Sequence, residues 1–498
     1  MTVEPLQTMV SIRPLIAVLV SLLVIPILMS SARSPNVREA WTLGAAALKF
    51  LVVASMLPLV LGGFQIEYSI ARVLPGYGLE LRVDALGMLF ALVSSSLWIV
   101  TSIYSIGYMR GLKEHAQTRY YCFFALSLSA TIGVAFSANL LTMYLFYEVL
   151  SLATYPLVTH HQDPEARSSG RKYLVFILGT SIAMVLPAMV FIAQKTGTLT
   201  FAPQGIAAGT IGPQAATVLL LLFVFGFAKA ALMPFHAWLP AAMVAPTPVS
   251  ALLHAVAVVK VGVFCILRVM TSIFGTGMLT DLNISTAVCT IAAFTMIVSS
   301  LIALSQDGLK RRLAFSTIGQ LSYIVLGAAL LSKSGLIGAA LHIAMHAFGK
   351  ITLFFCAGAI FVASGVKNVS GMAGIGRRMP LTMAAFFIGS LSVIGLPPGG
   401  GFISKWHLAI GTVEAHQFVM LAALLVSSLL NAAYFLPVVY RAFFCPEPES
   451  LFTGPVQEAP TWCLLPPLLT AAASVVLFFY PQPFLDLARL AAQSIFGG

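Results

Sequence analysis

Residues 143–157 read MYLFYEVLSLATYPL. Glu148 is the one charged side chain in a stretch that otherwise has the character of a membrane-crossing helix. A carboxylate at that depth costs at least ~2.5 kcal/mol on insertion scales, and far more if it is left unpaired. Whether the stretch crosses a membrane, and what the carboxylate does there, are decided by the rest of the chain.

The chain has 498 residues, 59% hydrophobic and 9% charged. Soluble domains carry about 25% charged residues, so this chain cannot cover a water-facing surface. Apolar runs of roughly the 20 residues needed to cross a bilayer recur from end to end. They fall near 10–29, 43–61, 83–107, 119–137, 139–159, 172–193, 215–236, 249–272, 286–305, 314–331, 335–364, 382–412, 417–444 and 461–480. The expected fold class is therefore all-α integral membrane, with about fourteen spans. The first run is long and thirteen follow it, which reads as a retained span rather than a cleaved signal. The connections are short, so residues 1–498 are expected to form a single membrane domain without a soluble catalytic part.

The net charge of +11 is unevenly placed. Connections after odd-numbered runs carry clusters such as Arg110, Lys113 and Arg119, then Arg167, Arg171 and Lys172, then Lys310, Arg311 and Arg312. Fifteen Lys and Arg lie on that side and seven on the other. The bias toward cytoplasmic Lys and Arg then puts the odd connections inside and both termini on the outer, periplasmic side. The basic excess is a topology signal and does not point to nucleic acid. Six scattered cysteines form no C-x-x-C pair. Neither a disulfide framework nor an iron–sulfur cluster is indicated, and no cofactor or metal is expected.

Four lysines fall deep within runs: Lys229, Lys260, Lys350 and Lys405. Lys49 lies near the start of the second run and is expected to snorkel to the interface. Among the acids only Glu148 is comparably deep. Any one of these residues suits a structural ion pair or a snorkelling helix end. Together they do not, because one glutamate cannot neutralise four ammonium groups. A lysine without a partner in a low-dielectric interior exchanges readily between charged and neutral forms, as a proton relay requires.

Histidines extend the row. His342, His346 and Lys350 are spaced i, i+4, i+8, along one helix face. His254 precedes Lys260 by six residues, about 120° around the helix, so that pair does not share a face. A buried structural role for His254 stands beside a relay role. His236 lies in PFHAWLP. Imidazole titrates near neutral pH and passes protons between its nitrogens.

Two runs are interrupted. The seventh reads GFAKAALMPFHAWLP, with Pro234 five residues after Lys229; the twelfth reads GLPPGGGFISKW, with Pro397 and Pro398 ahead of Lys405. Proline removes a donor and clashes with the preceding turn. Backbone freed at membrane depth must face protein or a water-filled cavity, and broken helices beside ionisable groups mark ion sites in transporters. A haem protein is a rival reading, but the four-residue spacing of His342 and His346 does not suit a bis-histidine site. A solute carrier is a second rival, in which the lysines would bind an anion.

These motifs resemble those of the proton-conducting antiporter-like subunits shared by respiratory complex I and Mrp-type cation/proton antiporters. FYEV looks like the family's glutamate motif, which falls on Glu148. KAALMPFHAWLPAA is similar to its span-seven motif and puts the lysine at Lys229. LLHAVAVVKVGVFCILR matches the span-eight motif with the relay lysine at Lys260, and GFISKW matches the span-twelve segment with Lys405. LRVDALGMLF and YSIGYM look like the span-three region. The likeness covers nearly the whole chain. It implies fourteen core helices, with spans four to eight (119–272) and nine to thirteen (286–444) as inverted repeats. It also implies proton translocation along a central axis, a Glu148–Lys229 pair, and work within a complex of other membrane subunits in a prokaryotic inner membrane. HAVAVVKVG and the HxxxHxxxK stripe look more like the Mrp D-type and hydrogenase-associated branch. The expected function is therefore that of one subunit in a Na+/H+ antiporter, with a proton-pumping subunit of an NADH:quinone oxidoreductase or membrane-bound hydrogenase as the alternative.

Overall fold

The computed structural model describes residues 7–74, 76–446 and 457–497. Each of the fourteen apolar runs coincides with a helix or with a pair of helices separated by a break. A helix satisfies its own backbone hydrogen bonds, which hydrocarbon cannot do for it. Among the described residues, ten helices are long and apolar enough to cross a membrane, from Arg13–Ser30 to Thr461–Phe479. Gln117–Ala135 (span four) and Leu309–Ala329 (span ten) are as long but more polar. Spans seven and twelve are interrupted, as their sequences predict. Pro213–Gly226 gives way to irregular chain before Trp238–Ala241, and Pro380–Ile394 stops at Gly395 and resumes as Gly401–Glu414.

Local signals fix the helix ends. Asn139 and Asp84 accept hydrogen bonds from Thr142 N and Gly87 N, both at 2.8 Å, at the starts of span five (Leu140–Val158) and span three (Ala85–Gly111). A side-chain oxygen here satisfies an amide that the helix cannot. Two helices form the centre. Span eight, Thr247–Phe274, is buried along its whole length, and span eleven, Lys333–Ser364, runs for 32 residues without a break.

Two features lie outside the all-α expectation. At one end of the molecule, Gln7–Val10 pairs parallel with Phe64–Leu74, which pairs antiparallel with Tyr77–Val83. Glu67 and Arg82 face each other across that pair at 2.7 Å. The segment is too short and too polar for a span, and a hairpin lets its backbone bond internally. The second feature is the helix Gln482–Phe496, which buries Leu485, Leu487, Ala488, Ala491 and Ala492. A bidentate pair, Arg268 to Asp84 at 2.5 and 2.8 Å, ties span eight to the start of span three at the sheet end. The opposite, basic end carries Arg110, Lys310 and Arg311.

Candidate functional site

Span seven loses its helix at Phe227, and Lys229 sits in the single turn Ala228–Ala230. The groups freed by the break find partners in protein: Trp238 Nε1 donates to the Ala228 carbonyl at 2.9 Å, and Met233 N donates to Thr295 Oγ1 at 3.2 Å. Gly262 makes the docking possible, since a Cβ there would collide with the backbone of Lys229 and Ala230. The Lys229 ammonium is buried and donates to Tyr147 O at 2.8 Å and Ser151 Oγ at 2.5 Å. Tyr144, Ser151 and Ser181 stand around the Glu148 carboxylate, yet neither of its oxygens has a hydrogen-bond partner among the described residues. The direct Glu148–Lys229 pair expected from the resemblance is therefore open in this structure. The lysine rests on the carbonyl of the residue before Glu148 and on the serine three residues after it.

Two residues before Gly262, Lys260 Nζ lies 2.6 Å from His346 Nδ1. His346 stacks on His342, with ring centroids 5.7 Å apart and planes at 17°. His342 in turn contacts Ser404 Oγ at 2.8 Å through Nδ1 and Gln320 Oε1 at 3.0 Å through Nε2. The expected i, i+4 stripe is thus an assembled row, and span eight delivers Lys260 to its end. The two polar contacts of His342 select one neutral tautomer: Gln320 Oε1 only accepts and so takes the Nε2 proton, and Ser404 Oγ can donate to Nδ1.

Lys405 follows Ser404 in the chain, beyond the break of span twelve. Gly395, at φ +89°, leaves the space that Lys405 fills; a Cβ there would meet Lys405 Cδ at 2.5 Å. Its ammonium donates to Ile394 O at 2.9 Å and Ser428 Oγ at 3.2 Å, over the Tyr323 ring. Pro397 and Pro398 lie within the break. Lys350, farther along span eleven, donates to Leu313 O at 3.2 Å and Ser316 Oγ at 2.8 Å. The same cradle recurs at Lys49, which corrects the snorkelling expectation. Lys49 is fully buried and donates to Ser21 Oγ at 2.5 Å and Leu128 O at 3.1 Å, beside the Trp98 ring. Snorkelling follows from sequence position alone. Packing of spans one, two, three and four around the side chain closes the route to the interface.

The remaining candidates fall outside the row. His254 is buried in a π-helical turn, Leu252–Val256, against Phe354, with no hydrogen-bond partner on either nitrogen among the described residues. His236, in the span-seven break beyond Pro234, is half-buried and lines a cavity of about 760 Å³ that opens at the basic end. Glu114, His161, Lys310 and Phe315 line the same cavity. Lys310 was missed as a site residue because it follows a loop. In the fold it donates to Ala245 O at 2.5 Å, just after span seven. Among the described residues no hydrogen bond joins Lys229 to Lys260.

Residues 137–431 match the family model described as NADH:quinone oxidoreductase/Mrp antiporter, TM. The chain belongs to this family. NADH-quinone oxidoreductase subunit N of Desulforudis audaxviator is 33% identical over 440 residues, 84% of this chain and 86% of that protein. Hydrogenase-4 component B of Escherichia coli K12 is 32% identical, over 82% of this chain and 64% of that protein. A probable K(+)/H(+) antiporter component of Rhizobium meliloti is 30% identical over 91% of this chain, which spans about half, 46%, of that longer protein. The fold superimposes on one chain of the Mrp complex from Dietzia sp. DQ12-45-1b with a TM-score of 0.87, at 22% identity and covering 98% of both chains. This member of the family is a multi-pass membrane protein whose relatives are subunits of larger complexes.

Proposed function

We propose that this chain is the proton-translocating subunit of a multisubunit Na+/H+ antiporter of the Mrp D-like kind. In this reading it lies in a prokaryotic plasma membrane with both termini on the outer side. The observation that carries the reading is the buried row Lys260–His346–His342, which closes at 2.6 Å at one end and meets Ser404 at the other. Glu148, Lys229, Lys260 and Lys405 carry the proton, with His342, His346, Lys350, His254 and His236 in support. Each of Lys229, Lys350 and Lys405 rests on one carbonyl and one serine hydroxyl, with no carboxylate in hydrogen-bond contact among the described residues. A neutral cradle of this kind serves both forms of the amine: the carbonyl accepts from the ammonium, and the hydroxyl can donate to the free base.

The cavity at the basic end is the proton's entrance, leading toward His236 and the Lys229 break. The 119–272 and 286–444 segments act as inverted repeats, each contributing one broken span with a lysine beside the break. The chain works within a complex of other membrane subunits, a reading supported by relatives and a structural neighbour that are themselves subunits of such complexes.

The 33% identity to an NADH-quinone oxidoreductase subunit N supports a second reading, a proton-pumping subunit of a redox-driven complex. Everted vesicles carrying the whole complex separate the two. Collapse of a pre-formed pH gradient on adding Na+, without any redox donor, supports the antiporter. Acidification that needs a redox donor and ignores Na+ and K+ overturns it in favour of the second reading.

A further inference from the structure

The axis leaves unused a cluster at the basic end. Two short connections, 112–116 between spans three and four and 159–163 between spans five and six, bring Glu114, His115, His160 and His161 together. Ligand atoms of Glu114, His115 and His160 all lie within 4.8 Å of one another. Around Glu114 Oε2 stand His160 Nε2 at 3.7 Å, His161 Nδ1 at 3.7 Å and His115 Nδ1 at 3.9 Å. These spacings are too long for hydrogen bonds, and no member of the set closes on another. Donors bound at about 2.0–2.2 Å around one tetrahedral ion lie roughly 3.3–3.6 Å apart. The contacts to Glu114 Oε2 would have to shorten by a few tenths of an ångström, and the imidazoles of His115 and His160, within 4.8 Å of each other, would turn inward to complete the set.

Three further observations point to a ligand. His160 is fully buried, and neither of its ring nitrogens has a hydrogen-bond partner among the described residues. A buried imidazole left without a partner loses its hydration with nothing in return, a loss that a bound ion would offset. His115 has its other nitrogen, Nε2, 3.0 Å from the His160 carbonyl. That is the outer contact that holds metal-binding histidines in one tautomer. Finally, Lys113 (φ +51°), Ala116 (φ +48°) and Gln162 (φ +58°) hold both connections in a left-handed backbone that non-glycine residues rarely adopt. Such strain persists where the surroundings over-determine it, often at a ligand site. Arg119 donates to the His160 carbonyl at 2.8 Å, and its charge opposes a cation there; the Glu114 carboxylate offsets it.

We propose that Glu114, His115 and His160, with His161 as a fourth donor, form a binding site for a divalent transition-metal ion of the Zn2+ class. Imidazole with one carboxylate is the donor set that such ions take and that Mg2+ and Ca2+ do not favour. Because Glu114 and His161 also line the cavity that leads to His236 and Lys310, a bound ion acts as a brake on proton entry. That consequence rests on the function proposed above; the binding site does not.

The test uses the purified whole complex, freed of polyhistidine tags and treated with chelator. Titration with Co2+ is expected to give the visible absorption of a four-coordinate ion, one per chain, displaced by Zn2+. His115→Ala, at an exposed side chain, and Glu114→Gln are each expected to weaken Zn2+ binding at least tenfold while the complex assembles as before. His160→Gln is expected to abolish the four-coordinate spectrum. A Co2+ spectrum that is six-coordinate, or Zn2+ binding equal in wild type and in all three variants, would overturn the site. Transport read in parallel is expected to show Zn2+ inhibition in wild type that shifts at least tenfold in His115→Ala. Zn2+ bound without inhibition in an otherwise active complex would overturn the brake alone.

Discussion

Replacing Lys260 with arginine keeps the charge and removes the ability to give the proton up. In water arginine holds its proton about 2–3 pH units more tightly than lysine, and each unit is about 1.4 kcal/mol. The walls around Lys260 are the same for both side chains, so most of that difference carries into the site. The free-base form becomes about 100- to 1,000-fold rarer, a barrier of roughly 3–4 kcal/mol on every proton that passes. The contact with His346 at 2.6 Å adds to the effect, because a guanidinium that never releases its proton pins Nδ1 as a permanent acceptor. Lys260→Arg is therefore expected to lower turnover at least about 100-fold. Lys260→His retains a group that can cycle its proton and is expected to keep measurable transport through a bridging water. The assay is dye-reported pH-gradient formation in proteoliposomes carrying the whole complex, with each variant normalised to assembled complex on a native gel. The ordering carries the test, since arginine also changes shape. An arginine variant that works within twofold of wild type, or that outperforms the histidine variant at equal assembly, would refute the relay.

Glu148→Ala is expected to abolish ion-coupled transport while the complex still assembles, and Glu148→Asp to retain part of it; near-normal pumping by a well-expressed alanine variant would exclude an essential role. Gly262→Val places a side chain against the Lys229–Ala230 turn and is expected to cost about 1–3 kcal/mol of packing and most of the activity; full activity would mean that the break does not need this docking. Asp84→Ala leaves Arg268 without its bidentate partner and removes a helix cap, so unfolding in detergent is expected about 3 kcal/mol earlier. An Asp84→Leu/Arg268→Met double variant should recover much of that loss, and failure of the pair to couple would refute the account. The purified single chain in liposomes is expected to show no self-sustained antiport; full exchange would remove the dependence on partner subunits.

Much of this molecule was legible in its residues. The fourteen apolar runs appear as helices because hydropathy measures the constraint that shapes them, the absence of water to satisfy the backbone. The two breaks were legible in the same way, through Pro234 and through Pro397 and Pro398. The His342–His346–Lys350 stripe follows from helical periodicity alone. Other features depend on contacts between segments far apart in sequence. That Lys260 meets His346 rather than His254 depends on how span eight packs against span eleven. Lys49 was misread because only the assembled helices show what surrounds it. The Phe64–Leu74 and Tyr77–Val83 hairpin was missed because strand alternation is a faint signal beside long apolar runs. The Glu114–His160 cluster escaped notice because its members come from two loops with no shared motif. His-His at 160–161 was the one local cue.

The unbroken Lys333–Ser364 helix has a mechanical consequence. At about 1.5 Å per residue it is a rod of roughly 48 Å, and it carries His342, His346 and Lys350 as fixed marks on a ruler. Their mutual spacing cannot change without breaking main-chain hydrogen bonds. The lysines of spans seven and twelve are mounted differently, on or beside chain that has already surrendered such bonds. Lys229 and Lys405 are therefore free to shift on two short stretches between one turnover and the next, while the gauge against which they move stays constant.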